Sequence, residues 1–172
     1  MNPTISLYSN LQNTDLNALS AFETLTHTLG MTSLKRLHRY THFTLEFSPG
    51  TDAASVLNHL LQETFYLINP NKETPFQAHL PKPSLKESET VHVLEVSGGA
   101  FDAAVLAQLN AVCGGVVRHI SKSLVWELVV EGTVDQDALF AQVGPTVSRT
   151  QGLLINPLYE TGRWVDPATL YA

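Results

Sequence analysis

The spacing of hydrophobic and polar positions changes along the chain between two periods, which predict helices and strands in alternation. Between residues 16 and 29 large apolar side chains recur every three or four positions, the spacing of an amphipathic helix. Between residues 43 and 47 apolar and polar residues alternate strictly, as in a strand with one buried face. The pattern therefore predicts a mixed α and β chain.

Both halves of the chain predict the same order of elements, β-α-β-β-α. In the first half the elements are strand Ile5–Ser9, helix Asp15–Gly30, strands Ser33–Arg39 and His42–Ser48, and helix Asp52–Ile68. In the second half they are strand Val91–Val96, helix Phe101–Cys113, strands Val116–Ile120 and Leu124–Val130, and helix Val134–Ile155. The repeated order indicates a duplicated unit.

One short phrase recurs at matching places in the two halves. Leu-Ile-Asn-Pro ends at Pro70 and again at Pro157, 87 positions later. Proline cannot continue a helical ladder and moves the residue before it out of the α region. We therefore expect Asn69 and Asn156 to end the last helix of each unit and to direct the chain that follows.

Further positions match between the halves. Gly30 and Gly114 follow the first helix of each unit, where a left-handed residue commonly ends a helix. Glu46 and Glu127 occupy corresponding positions in alternating strands. The second unit departs at Gly144-Pro145, which predicts a short helix, a turn and another short helix there.

Residues 78–90 separate the two units. The segment AHLPKPSLKESET has two prolines, several charges and no hydrophobic period, which is typical of a linker. The sequence thus predicts repeats at residues 1–77 and 91–172. We expect an α+β fold in which antiparallel sheets pack on helices and the two repeats form a pseudo-dimer within the chain.

Composition narrows the classes of function. The chain has 172 residues, of which 44% are hydrophobic, and a net charge of -6 without a basic run, which disfavours nucleic-acid binding. No apolar stretch is long enough for a membrane span and no signal peptide is evident. The single Cys113 fits a reducing compartment, so the expected location is the cytoplasm.

Three groups of residues are candidate sites of chemistry. Cys113 with His119 resembles a nucleophile and base but lacks a residue to orient the imidazole. His38 and His42 lack a third zinc ligand at a suitable spacing. Gly98-Gly99 precedes a helix without a phosphate-loop pattern. The sequence predicts no catalytic residue, no metal ligand and no cofactor-binding residue.

The repeated unit resembles PurS, the small subunit of phosphoribosylformylglycinamidine synthase in purine biosynthesis. The features that carry the resemblance are Lys122-Ser123 leading into the strand with Glu127, and the apolar segment that closes on Asn156-Pro157. The first copy keeps Glu46 and the Asn-Pro pair. It has Thr41 where the second has Lys122. Large fused forms of the synthase are similar to a tandem pair of such units at their N-terminus.

The resemblance implies a role in assembly. PurS-like units pack as pairs and hold the ATP-using synthetase against the glutaminase that supplies ammonia, without contributing a catalytic residue. The implied partners are those two components, in trans or within a longer chain, and a homo-oligomer is a further arrangement.

The candidates for contact with a partner lie near the end of the sequence. Tyr159, Arg163 and Trp164 belong to residue types that are enriched in interface hot spots. An alternative for Trp164 is that it completes the core of its own half, while Trp126 is expected in the core. Two other functions stay open: a small-molecule-sensing module and a small enzyme, each using a cleft between the repeats.

Overall fold

The computed structural model describes all 172 residues, Met1–Ala172. The elements are, in chain order, β1 (Thr4–Leu11), α1 (Leu16–Glu23), β2 (Leu34–Phe47), α2 (Ala53–Glu63), β3 (Glu73–Gln77), β4 (Glu89–Ser97), α3 (Ala103–Cys113), β5 (Val117–Glu131), α4 (Gln136–Val143), β6 (Thr161–Val165) and α5 (Pro167–Leu170). The six strands form one antiparallel sheet in the order β3-β1-β2-β5-β4-β6. The α+β class is confirmed, whereas the expectation of more than one sheet is wrong.

Each predicted pair of central strands is one long strand. β2 runs for 14 residues and β5 for 15, with no turn at Tyr40-Thr41 or at Ser121–Ser123. The polar residues at these places interrupted the alternating pattern and suggested turns. No Gly, Pro, Asn or Asp lies in either segment, and without such residues the chain stays extended. The β-α-β-β-α order is therefore corrected to β-α-β-α-β in each half, with α5 added at the end.

Aspartate begins every helix. Asp15, Asp52, Asp102, Asp135 and Asp166 each accept hydrogen bonds from backbone N–H groups of the first turn, which otherwise have no partner. A π-helical segment, Thr24–Thr28, continues α1 towards Gly30, which has a φ of 70°. Gly114 caps α3 in the left-handed conformation, as the sequence predicts.

Helix α2 ends five residues before the predicted end. Its C-cap Thr64 has an extended backbone, and the Thr64 hydroxyl donates a hydrogen bond to the Leu60 carbonyl. Leu67 and Ile68, whose spacing suggested further helix, are buried in the core from a non-helical segment. Asn69-Pro70 is therefore not a helix stop, and the same correction applies to Asn156-Pro157.

The segment after α4 differs from the prediction in part. The predicted break is confirmed, because α4 ends at Val143 and Gly144 is its C-cap. The second short helix is wrong: Pro145 bridges Ile155 and Ser148 bridges Gln151. This segment folds back so tightly that a Cβ on Gly152 would lie 1.7 Å from the Pro145 carbonyl oxygen. β3, β6 and α5 were not predicted.

Contacts divide the chain into two compact units, each made of three segments. Unit 1 comprises Met1–Asn13, Thr41–Leu80 and Ala100–Ser123. Its core joins β1, α2 and α3 with parts of β2 and β5, through Leu7, Phe43, Leu45, Phe47, Leu57, Leu60, Leu67, Ile68, Leu109, Val117 and Ile120. These units describe packing, whereas the division at residues 78–90 describes a duplication and stays a prediction.

Unit 2 comprises Thr14–Tyr40, Pro81–Gly99 and Leu124–Ala172. Its core joins α1 and α4 with β4 and parts of β2 and β5, through Ala18, Leu25, Met31, Leu34, Leu37, Leu94, Val96, Trp126, Leu128, Val130, Leu139, Val143, Leu154 and Ile155. None of the helices combines the length and the apolar composition needed to cross a membrane.

Candidate functional site

The two Asn-Pro phrases form the same turn. In each, the asparagine side chain accepts the N–H two residues later, and its carbonyl accepts the N–H groups three and four residues later. The asparagine N–H is bound by a glutamate at the fourth position, Glu73 for Asn69 and Glu160 for Asn156. The motif is thus Asn-Pro-x-x-Glu, and each copy leads the chain into an end strand of the sheet. The glutamate at the fourth position is also repeated in the sequence, but it lies outside the Leu-Ile-Asn-Pro phrase from which the repeat was predicted.

The second turn presents exposed apolar side chains. Leu158 is 80% and Tyr159 76% exposed. Beside them is an open cleft of about 570 Å³, lined by Thr146, Leu153, Leu154, Asn156, Pro157, Leu158 and Glu160. Gly98 makes the close approach to this turn, since a Cβ there would lie 2.8 Å from the Tyr159 carbonyl oxygen. This close contact explains why the first residue of the Gly98-Gly99 pair is a glycine.

Arg163 and Trp164 lie next to each other on β6 and have different surroundings. The Arg163 guanidinium pairs with the buried Glu95 carboxylate while 73% of its side chain stays exposed. Trp164 packs on the core of unit 2, with its ring 6.1 Å from Phe140 and 6.0 Å from His92. Tyr159 and Arg163 are therefore accessible, and Trp164 contributes mainly to the core. Contact of these three residues with a partner stays a prediction.

Polar atoms around Trp164 are buried without partners. The indole N–H of Trp164 and Nδ1 of His92 have no hydrogen bond. Burial lowers the pKa of His92 and favours its neutral form. Trp126 is buried as expected, with the Arg39 guanidinium 5.9 Å from its ring centroid.

Glu127, predicted as a structural position of the repeat, is a buried carboxylate with polar neighbours in unit 2. It is 1% exposed. One of its oxygens lies 2.8 Å from His38 Nδ1, and the other accepts the Tyr171 hydroxyl at 2.5 Å. Burial, and secondarily the charge of Glu127, raises the pKa of Tyr40 to about 12. Burial and the hydrogen bond to Glu127 raise the pKa of Tyr171 as well.

Sequence reasoning missed this cluster because its members are far apart along the chain. His38 is 89 residues from Glu127, and Tyr171 is 44 residues from it. The corresponding Glu46 is half-buried and accepts a hydrogen bond from the Asn2 side chain. Lys122 is exposed, with its ammonium 5.7 Å from the Phe43 ring. The matching sequence positions therefore have different environments.

The other constellations are placed as follows. Cys113 is half-buried and contacts Asn110, while His119 is exposed. His42 stacks on Tyr8 at 4.3 Å and bonds to Ser6 and Ser123. No group of three or more His, Cys, Asp or Glu side chains is arranged to hold a metal ion.

In comparisons with known proteins, no family model, no curated protein and no solved structure matches the chain.

Proposed function

We propose that the chain is a PurS-type assembly component of a phosphoribosylformylglycinamidine synthase in the cytoplasm. In this role it holds an ATP-using synthetase component against a glutaminase component, and the amidotransfer chemistry belongs to those partners. It acts either as a subunit or as part of a longer chain.

The repeated Asn-Pro-x-x-Glu turn is the observation that carries the proposal. The two copies share four hydrogen bonds at a constant offset of 87 residues. Two unrelated segments rarely need the same side chains for the same turn, so the agreement supports a duplicated unit. A tandem pair is the arrangement that the resemblance to large fused synthases implies.

The order of the elements supports the same interpretation. If β1, β2 and β3 correspond to β4, β5 and β6, the strand order of the sheet reads identically from either end. The N-caps agree as well, because Asp15 and Asp102 bind the second and third N–H of their helices, whereas Asp52 and Asp135 bind the third. Such a pair inside one chain imitates a dimer of separate subunits.

The second turn supplies a surface for a partner. Leu158 and Tyr159 together form an exposed apolar projection beside the cleft, with the charged Arg163 on the strand that follows. Exposed aromatic and arginine side chains of this kind anchor many interfaces. We assign the contact with the synthetase or the glutaminase to this surface.

A pull-down tests the proposal. The full chain is mixed with the synthetase and glutaminase components from the same source, and glutamine-dependent turnover is measured with and without it. We expect a complex, turnover that needs the chain, and loss of both in Leu158→Asp and Tyr159→Asp. The matched control is Leu16→Asp, an exposed leucine of unit 2 at the start of α1, which should leave both unchanged.

Two results would contradict the proposal. If no complex forms and glutamine-dependent turnover is the same with and without the chain, the PurS-type role is wrong. If the complex forms but the Leu158 and Tyr159 variants bind as well as Leu16→Asp does, the role stands and the assigned surface is wrong.

A further inference from the structure

The cluster around Glu127 has the geometry of a proton-accepting site. His38 Nδ1 lies 2.8 Å from the carboxylate, and half of the His38 side chain is exposed. A carboxylate accepts hydrogen bonds, so in the neutral imidazole Nδ1 carries the proton and Nε2 is left with a free lone pair. No protein group is hydrogen-bonded to Nε2.

Glu127 is well placed to orient the imidazole. Its side chain is held from the other side by the Tyr171 hydroxyl and is almost wholly buried, so it has little freedom to rotate. A carboxylate that fixes the tautomer and ring orientation of a histidine also stabilises the imidazolium that forms when Nε2 takes a proton. Independently of the proposal on partners, we propose that His38 is a general base and that Glu127 is its positioning residue.

A cleft that includes Arg36, close to His38 along β2, indicates the class of substrate. Arg36 is two residues before His38 on β2, so the Cα atoms of these two residues lie about 7 Å apart. Arg36 lines an open cleft of about 490 Å³ together with Lys35, Ser84, Leu85, Lys86, Glu89 and Glu131. It is the nearest lining residue to His38 along the chain.

The charges of this cleft favour a small anion. Arg36 pairs with Glu89 at 2.9 Å and Lys35 with Glu131 at 3.5 Å, and with Lys86 the cleft has three cationic side chains against two carboxylates. The backbone N–H of Lys86, together with Arg36, holds the pKa of Glu89 below its usual range. The Glu89 carboxylate therefore stays ionised and keeps Arg36 in place. The expected substrate is a small molecule with a phosphate or carboxylate group for Lys86 and a dissociable O–H for His38.

The chemical step is a proton transfer. The O–H bond of the substrate, or of a water that the substrate holds, breaks as an N–H bond forms at Nε2. Glu127 accepts the Nδ1–H hydrogen bond before and after this transfer and faces the imidazolium. The proton returns to the departing product or to solvent, so no further reactant is needed.

Diethyl pyrocarbonate measures the reactivity of Nε2 directly, because it modifies unprotonated imidazole. The rate at each of the seven histidines is followed by mass spectrometry at neutral pH. We expect His38 to react about threefold to tenfold faster than His119, which is exposed and lacks a carboxylate partner. Glu127→Gln should abolish this advantage, and ¹⁵N spectra should show that the Nδ1–H tautomer of His38 is lost.

Two controls separate positioning from loss of structure. Glu46→Gln changes the corresponding carboxylate of the first half, which is bonded to the Asn2 side chain and not to a histidine, so the reactivity of His38 should persist. Glu63→Gln changes an exposed carboxylate at the end of α2 and should have no effect. Amide spectra of each variant establish that the fold is retained.

Inorganic phosphate tests the substrate class. We expect it to slow the modification of His38 and not that of His119, and Lys86→Ala should remove the protection. If His38 reacts no faster than His119, or if Glu127→Gln leaves its rate and tautomer unchanged in a folded protein, the general base is wrong. If His38 is reactive but phosphate does not protect it, the anionic substrate class is wrong.

Discussion

Two tyrosines of unit 2, Tyr40 and Tyr171, lie close to the Glu127 carboxylate and affect the stability of the fold at high pH. Tyr40 is almost wholly buried, and Tyr171 donates its hydroxyl to Glu127. Ionising either phenol places a second negative charge near Glu127 in a region with little water. The neutral phenols are therefore strongly preferred in the folded protein.

We expect stability to fall between about pH 10 and pH 12. The folded-state pKa of Tyr40 is raised to about 12, above the unfolded value near 10. The folded chain therefore holds more protons than the unfolded chain in this window, and the free energy of unfolding decreases as pH rises. For Tyr40 the loss is about 2–3 kcal/mol, and the raised pKa of Tyr171 adds to it.

Urea unfolding at pH 9 to 12 measures this loss. Tyr40→Phe and the parent chain are compared by the slope of the free energy of unfolding against pH, because removing the hydroxyl also changes the absolute stability. The slope should be shallower in the variant. Equal slopes would show that Tyr40 does not retain its proton in the folded state.

At the scale of elements, the start of each helix is fixed by one aspartate, and Asp15 has an additional role. It caps α1 and also receives two hydrogen bonds from the Arg39 guanidinium on β2, at 2.9 and 3.0 Å. Both side chains are mostly buried. The cap thereby joins the helix to the strand beneath it.

Asp15→Ala should cost more than the loss of an ordinary cap. Asp135 caps α4 without an ion pair, so Asp135→Ala is the matched comparison, with an expected cost of about 1 kcal/mol. Asp15→Ala also leaves a mostly buried guanidinium without its partner, for an expected total of about 2–3 kcal/mol. Denaturant unfolding gives both values, and equal costs would show that the Arg39 pair contributes nothing.

Elements differ in how far sequence predicted them. α3 and its cap at Gly114 were predicted because spacing and glycine agree. The sequence pattern predicted two strands in place of β2 and two in place of β5, because polar residues within a long strand resemble the residues of a turn. β3 and β6 are five residues each, too short for a periodic signal. The Glu127 cluster was outside the reach of sequence because its parts come from three distant segments.

At the scale of the whole molecule, each unit draws on both halves of the sequence. Unit 1 takes α3 and the first part of β5 from the second half, and unit 2 takes α1 and the first part of β2 from the first half. Neither core can be completed by one half alone.

Separate halves should therefore not fold. Fragments 1–85 and 86–172 are each expected to lack dispersed amide signals, because core residues such as Leu109 or Leu25 lose their neighbours. Mixing the fragments should restore the spectrum. The control is the full chain cut between residues 85 and 86 after folding, which should keep its structure. A cooperative unfolding transition in either fragment alone would contradict this expectation.

The sequence by itself determined the α+β class, the position of most helices and the paired Asn-Pro phrases. These features depend on local periodicity and on residues that act on their neighbours in the chain. The tertiary structure alone decided that the strands form one sheet, that the Asn-Pro phrases are turns, and that His38 and Tyr171 converge on Glu127. The reason is physical: strand pairing and burial join residues that are distant in sequence, and no local pattern records which partners they meet.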